Sequence, residues 1–403
     1  MSAAARISPE KYISLQRSVR CPASRMGKLG FMRISIVAHN AYGMISGTPK
    51  GHIGGVERQA AMLARWLVER GHEVSLITWN EGGPPVEVID RIRVIKICRP
   101  DAGLPVVRFF VPRWSSLNGA LRAADADLYY QNGAEEVTGQ VALWCRRHER
   151  KFVFSTASDI DCSDWFTSSR ALRERLLYRH GLKLADRIIV QTNTQAALLK
   201  SATHLGADVL PMPGDDFARC RGTHPGPGDD EPPLVLMVGR IAPEKNVEMF
   251  IELARMLPHM RFLVAGPGDP SSAYIAGLRK SSLEVSNLEF FGSANRQQLC
   301  DLYRAATALC CTSHYEGFPN TFIEAWSLGL PVISTVDPDG VISRHGLGAH
   351  VSTLDHLRDR VRQLTDSREQ RDAIAESAQA YFRSHHQLDV AMERFERLFQ
   401  ETV

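Results

Sequence analysis

The sequence predicts an α/β chain made of two successive domains, each a parallel sheet covered by helices. Three observations carry this. The chain has 403 residues, more than one ordinary core accommodates. Short runs rich in Val, Ile, Leu and aromatics alternate with stretches of helical spacing over most of its length. A segment dense in proline and glycine, residues 211–233, interrupts the alternation, which then restarts.

Taken in order, residues 1–31 carry Arg6, Lys11, Arg17, Arg20, Arg25 and Lys28 but no apolar core of signal-peptide length. They read as a poorly ordered tail. An over-called start codon, with Met32 as the true start, is a second reading, and a targeting peptide a third. The first domain is expected over 32–212, with strands at 31–38, 73–79, 91–97, 127–131, 151–157 and 186–191. Its clearest helix is 56–70, where Val56, Ala60, Leu63, Ala64 and Leu67 share one face and Gly71 stands at the stop. Residues 213–233 read as the linker. The second domain, 234–385, has expected strands at 234–239, 261–266, 288–291, 307–312 and 331–336. The last segment, 386–403, is an amphipathic helix with Val390, Met392, Phe395, Leu398 and Phe399 as its apolar set.

Composition excludes several classes. Hydrophobic residues make up 44% of the chain and charged residues 23%, the balance of a globular protein. A net charge of +3 is too small for a dedicated nucleic-acid binder. The eight cysteines form no CxxC pair and no zinc-spaced cluster, which suits a reducing cytoplasm. No apolar run reaches the 18 or so residues of a membrane span. Basic and aromatic residues cluster at 108–114 and 144–151. A solvated helix face is the simpler reading of both, and peripheral contact with an anionic membrane is the other.

Three motifs carry candidate chemistry. Gly54-Gly55-Val56-Glu57 follows the first strand and opens a helix, where backbone N–H groups can approach an anion. A tight turn without a ligand explains it equally well. Gly239-Arg240 and Lys245-Asn246 flank a loop at the carboxyl end of the second domain's first strand, the edge where open parallel sheets bind ligands. Asn246 is positioned to cap a helix from Val247. Two cations beside a helix start suit a phosphate. The third motif runs from Glu316 to Glu324. Pro319 fits a first helical turn, so Glu316 belongs to the preceding loop and Glu324 lies inside the helix. The N–H groups of Phe318, Asn320 and Thr321, around Pro319, can then hold phosphate, and a carboxylate can accept from vicinal sugar hydroxyls.

Together these segments resemble the donor site of glycosyltransferase family 4, whose fold is GT-B. Arg240 and Lys245 match its Gly-Arg-x(3–5)-Lys-Asn loop, and Glu316 and Glu324 match its Glu-x(7)-Glu motif. Gly329-Leu330-Pro331-Val332-Ile333-Ser334, Gly54-Gly55-Val56-Glu57 and 185–192 resemble further landmarks, so the likeness spans roughly 32–400. It implies two Rossmann-like domains facing across a cleft, with the last helix returning to the first domain. It implies transfer of a sugar, with retention, from a nucleotide-diphosphate sugar to a hydroxyl acceptor, a glycan or lipid-linked molecule. Arg240 and Lys245 would stabilise the leaving diphosphate, Glu316 would contact the transferred sugar, Glu324 would hold the ribose, and Gly54 and Gly55 would approach from the facing domain. Losing one such charge stabiliser typically costs roughly 10²–10³ in rate.

One departure stands out. Where the family usually has a histidine after a late strand of the first domain, this chain has Ser158, or in the alternative alignment Ala157, beside Asp159. A serine can meet a sugar hydroxyl but is no base near neutral pH. His39, at the end of the first strand, is another candidate contact, with a structural role as its plainer reading. Triplets of the form Asp-x-Asp occur at 125–127, 159–161 and 337–339. The resemblance nevertheless implies neither metal nor other cofactor, since cations and a helix dipole take that place. No obligate protein partner is evident. The rival readings are a non-hydrolysing nucleotide-sugar 2-epimerase and a non-catalytic nucleotide-sugar-binding protein. A nicotinamide-dependent dehydrogenase ranks third, because neither domain carries GxGxxG.

Overall fold

The structure, a computed structural model, describes residues 30–48, 54–105, 107–163, 171–220 and 231–403. The readings of the N-terminal tail fall on residues largely outside these, as does the middle of the expected linker, 221–230. The described chain divides into two compact units. The first runs to Gln191 and adds Gln195–Leu210 and Met392–Val403; the second is Thr192–Thr194 with Pro211–Ala391.

The first unit holds an eight-stranded sheet. Its strands are β1 (Arg33–Val37), β2 (Glu73–Thr78), β3 (Val86–Ile89), β4 (Ile92–Lys96), β5 (Leu128–Asn132), β6 (Lys151–Ser155), β7 (Arg187–Val190) and β8 (Asp208–Val209). They lie in the order β3-β4-β2-β1-β5-β6-β7-β8. Every pairing is parallel except β3–β4. That hairpin departs from the all-parallel expectation. It turns at Asp90 and Arg91, both with positive φ (51° and 63°), between the paired Ile89 and Ile92. This is the geometry that Asn-Gly usually signals, so Ile-Asp-Arg-Ile conceals it, and Arg91 belongs to the turn rather than to a strand.

The C-terminal helix Leu388–Thr402 supplies Met392, Phe395, Leu398 and Phe399 as buried residues. The Tyr130 ring centroid lies 6.3 Å from that of Phe395 and 5.6 Å from that of Phe399. Met32 N–H donates to His72 Nδ1 (3.3 Å). The His72 proton therefore sits on Nε2 and is donated to Glu396 Oε1 (2.8 Å). This pair is buried and internally satisfied, as buried polar groups must be.

The second unit holds a parallel six-stranded sheet of β9 (Leu234–Val238), β10 (Arg261–Ala265), β11 (Leu288–Gly292), β12 (Ala308–Cys311), β13 (Val332–Ser334) and β14 (Gly348–His350). The order is β11-β10-β9-β12-β13-β14. Successive residues of β9 serve opposite faces: Leu234 and Leu236 enter one core with Phe217 and Trp326, whereas Val235 and Met237 enter another with Phe250 and Phe262. Both faces are covered, which is why β9 reads as one continuous apolar run. Cys310 is buried, while Cys311 is half-buried on the opposite face.

Proline and glycine in 211–217 serve packing as well as connection. Gly214 N–H donates to His386 O (2.8 Å), and a Cβ at Gly214 would stand 2.0 Å from Ile323 Cγ2. Phe217, 1% exposed, is part of the second unit's core. Composition alone reads this stretch as linker because it cannot distinguish a glycine needed for close approach from one needed for flexibility.

Candidate functional site

The order of the second sheet reverses direction between β9 and β12, its topological switch point. Ligands bind outside the carboxyl ends of strands at such a point. The loops leaving β9 and β12 there are 239–246 and 312–319, the two segments that carry the sequence motifs. They are stitched together: the Thr312 hydroxyl donates to the carbonyls of Lys245 and Asn246 (2.8 Å each), and His314 N–H to Glu244 O (2.9 Å).

Gly239 begins the first loop with φ +154°, a conformation that favours glycine. Its carbonyl presses on Gly266, at the end of β10, where a Cβ would come within 1.8 Å. The chain then makes a short turn, Pro243–Lys245, and enters the helix Val247–Met256. Asn246 adopts the left-handed conformation (φ 47°) and makes no side-chain cap. Its value is tolerance of that conformation rather than the capping expected from sequence.

Lys245 and Glu316 form an ion pair, although 71 residues separate them. Glu316 Oε1 also accepts from Ser313 Oγ (2.6 Å), and Thr335 Oγ donates to Ser313 O (2.7 Å). Arg240 pairs with Glu244 at 2.7 Å, but its side chain is 62% exposed. Pro319 directly precedes the helix Asn320–Ser327, which leaves Glu316 in the loop and puts Glu324 one turn inside. Glu324 is 3% exposed and accepts from Tyr303 Oη at 2.7 Å. The structure therefore brings Gly239, Arg240, Lys245 and Glu316 to one strand edge beside a helix start formed by Phe318, Pro319, Asn320 and Thr321. Glu324 faces a drier setting beneath it. Glu244, Ser313, Tyr303 and Thr335 belong to the same constellation. Glu244 lies within the recognised loop, while the other three carry no local signal in sequence.

In the first unit, Gly54 and Gly55 open the helix Gly55–Glu69. The Gly54 N–H is already donated to Glu57 Oε2 (3.1 Å), so an anion arriving there meets a carboxylate. His39 follows β1 and lies against Trp79, ring centroids 4.5 Å apart. Burial, helped by the positive charge of Arg113, pushes its imidazole down to about 4. Ser158 is committed locally: its Oγ donates to Asp161 Oδ1 (3.1 Å), and Ala157 N–H donates to Asp161 Oδ2 (2.7 Å). Asp159 accepts from Gln195 Nε2 (3.0 Å).

The other Asp-x-Asp triplets also have internal partners. Asp125 and Asp127 pair with Arg33 and Arg150. Asp337 accepts from Ile342 N and Ser343 N. Asp339 accepts from the backbone N–H groups and side chains of Asn193 and Thr194, within the second unit. Of the two basic-aromatic clusters, the later is structural: Trp144 is buried and stacks on His148 at 4.2 Å, and Arg150 is paired. The earlier one remains a surface feature. Phe110 and Val111 are exposed, as are Leu104, Val107, Leu172 and Leu176. Among the described residues no helix is long and apolar enough to cross a membrane.

Comparison with known proteins bears on family and fold. A family model described as "Glycosyl transferase 4-like domain" matches residues 54–208, and one described as "Glycosyl transferases group 1" matches 225–381. The D-inositol 3-phosphate glycosyltransferase of Mycobacterium tuberculosis is 30% identical over 207 residues, covering 43% of this chain and 41% of the relative. The chain thus spans about two fifths of the length of the curated relatives it matches. Sucrose-phosphate synthase from Thermosynechococcus elongatus shares the fold with a TM-score of 0.75 and 19% identity, over 91% of this chain and 98% of that one. Anabaena Alr3699/HepE, solved with UDP and glucose, has a TM-score of 0.72 and 15% identity, over 92% and 100%. With one glycosyltransferase model on each half of the chain and two parallel-sheet α/β domains beneath them, the chain belongs to the family 4-like glycosyltransferases of GT-B fold.

Proposed function

We propose that the protein transfers a sugar, with retention of anomeric configuration, from a nucleotide-diphosphate sugar to a hydroxyl of a glycan or lipid-linked acceptor in polysaccharide or glycolipid synthesis. The observation that carries this reading is the Lys245–Glu316 pair, a cation and a carboxylate from two distant motifs at one sheet's switch point. In this reading the diphosphate takes over Lys245, Arg240 turns from Glu244 to the phosphates, and the helix start at Asn320 adds its N–H groups. Glu316, released from Lys245, meets the sugar. Glu324 meets the ribose. Negative charge growing on the leaving diphosphate would then be stabilised by groups already in place, without metal or other cofactor. The UDP and glucose held by the Anabaena relative are in keeping with a donor of this class.

The test is calorimetry with UDP-, GDP- and ADP-sugars, followed by product analysis. Arg240→Ala and Lys245→Ala should each weaken donor binding about 10- to 100-fold, the worth of a charge-assisted hydrogen bond. Wild-type affinity in both variants would sink the site assignment. Epimerised donor formed without any acceptor would replace transfer by epimerisation.

The lipid-linked acceptor is favoured by one surface. The Arg173 guanidinium lies 3.8 Å from the centroid of the buried Phe109 ring, and Leu104, Val107, Phe110 and Val111 on one segment and Leu172 and Leu176 on the other are exposed. Arg108 and Arg175 add positive charge there, while Arg173 is paired with Glu136 at 3.2 Å; cations beside exposed apolar side chains are the mixture an anionic bilayer surface attracts. The cytoplasmic face of a membrane is the proposed setting, in keeping with seven free thiols among the described cysteines. The protein should co-sediment with phosphatidylglycerol vesicles and not with phosphatidylcholine vesicles. Phe110→Ser with Val111→Ser should reduce that several-fold. Equal recovery with both vesicle types would remove the membrane reading.

A further inference from the structure

Glu324 is tethered twice, once at its carboxylate and once at its backbone. Its Oε2 accepts from Tyr303 Oη at 2.7 Å. Its backbone carbonyl accepts from Ser327 Oγ at 2.6 Å, and Ser327 Oγ itself accepts from Phe217 N–H at 3.1 Å. Tyr303, on the helix Arg296–Ala305, is 1% exposed, and its ring meets Phe217 edge-on with centroids 5.4 Å apart. The phenol cannot easily move, and neither can the oxygen it binds. A buried carboxylate needs donors to offset its lost hydration, and the direction from which they come sets the plane of the carboxylate.

We propose that Tyr303 is a positioning residue for recognition of the donor's ribose. The inference rests on the reading that Glu324 binds the ribose hydroxyls. By fixing one carboxylate oxygen, the Tyr303 hydroxyl holds Glu324 as a preformed acceptor for a vicinal diol. A site built in this way rejects a ligand lacking the hydroxyl, because a buried acceptor is then left unmatched. Buried and donating to Glu324, Tyr303 acts in this reading through the carboxylate and not on the sugar or the phosphates. Its contribution is selectivity for a ribonucleotide over a deoxyribonucleotide.

The experiment uses the full chain and isothermal titration with UDP, GDP and ADP and with their 2′-deoxy and 2′,3′-dideoxy counterparts. Wild type should prefer the best ribonucleotide by about 10-fold or more over its dideoxy form. Tyr303→Phe keeps the ring and removes the hydroxyl. It should bind the ribonucleotide roughly 5- to 20-fold more weakly and the dideoxynucleotide unchanged, so that the preference collapses. If Tyr303→Phe keeps the wild-type preference, Tyr303 does not position Glu324 and the inference is overturned, while the ribose role of Glu324 stands. If wild type binds none of these nucleotides, or shows no preference for ribose, the reading of Glu324 fails and the inference falls with it. Those two failures are seen in different proteins and cannot be confused. Should Tyr303→Phe not fold, Tyr303→Met fills the volume instead. The ribose preference is a ratio within one variant, so a change in stability does not move it.

Discussion

Arg240 and Lys245 share a loop but not an environment. The Arg240 side chain is largely in solvent, and its pair with Glu244 spans four residues, an arrangement that contributes little to stability. Arg240→Ala should therefore leave the melting temperature within about 1–2 °C of wild type, which separates its effect on donor binding from any effect on folding. Lys245 is more enclosed and is neutralised by Glu316. Glu316→Gln removes that charge and leaves Lys245 free to meet phosphate. The expected outcome is nucleoside diphosphate binding equal to wild type or several-fold tighter, with sugar transfer reduced about 100-fold or more, measured by calorimetry and by a labelled-donor assay. Parallel loss of both would assign Glu316 to binding alone. His39 makes a prediction of opposite character. Its imidazole is pushed down to about 4 by burial, so the folded protein stays neutral there while the unfolded chain takes up a proton near its ordinary value of 6.5. Stability from this group is present above 6.5 and is lost as pH falls from about 6.5 towards 4. His39→Gln should flatten denaturant midpoints across that window. The placement of Arg240, Lys245 and Glu316 at one strand edge was legible, because a strand end and a helix start limit where they can lie. The commitment of Ser158 to Asp161 was not, because a short turn capped by its own aspartate looks in sequence like a candidate ligand pair.

At the scale of elements, the site depends on two strand ends being pressed together. Gly266 has φ +157°, and its absent Cβ is what lets the Gly239 carbonyl approach. Gly266→Ala would place a methyl 1.8 Å from that oxygen and 3.4 Å from Arg240 N, so the loop carrying Arg240 must move. A loss of about 2–4 kcal/mol is expected from the strained backbone and the clash, together with weaker donor binding. Gly277, in the helix Ala273–Ser282, has nothing within 4 Å of its added Cβ. Gly277→Ala should instead stabilise by up to about 1 kcal/mol through helix propensity, and chemical denaturation of both variants checks the contrast. Most strands were legible because burial on both faces writes an unbroken apolar run. The hairpin at Asp90-Arg91 and the short β8 and β14 were not. The first lacks the usual turn residues, and the other two, of two and three residues, are too short to show a period.

At the scale of the whole chain, the amphipathic pattern of the last segment was plain in sequence, while the partner of its apolar face, the first domain, came from the family resemblance and not from the pattern itself. The face belongs to the first unit, 265 to 269 residues back along the chain at Tyr130. Its polar edge carries Glu396, which closes the buried chain from Met32 through His72. Deleting Met392–Val403 removes four buried apolar side chains, each worth about 1.5–3 kcal/mol. It also leaves His72 Nε2 without its carboxylate, at a further cost of about 1–3 kcal/mol. The sum, about 7–15 kcal/mol, is comparable to the whole stability of a typical domain, about 5–15 kcal/mol. The second unit holds both of its cores without these residues. Scanning calorimetry of the truncated chain should therefore lose the transition belonging to the first unit and keep that of the second, and limited proteolysis should degrade residues before 191 while sparing 234–385. If both transitions survived, the returning helix would be ornament on a first unit stable by itself. Phe399→Ala tests the same claim more gently. A loss of about 3–5 kcal/mol, confined to the first unit's transition, is the expected result, because Phe399 is fully buried there and no contact of the second unit's cores includes it.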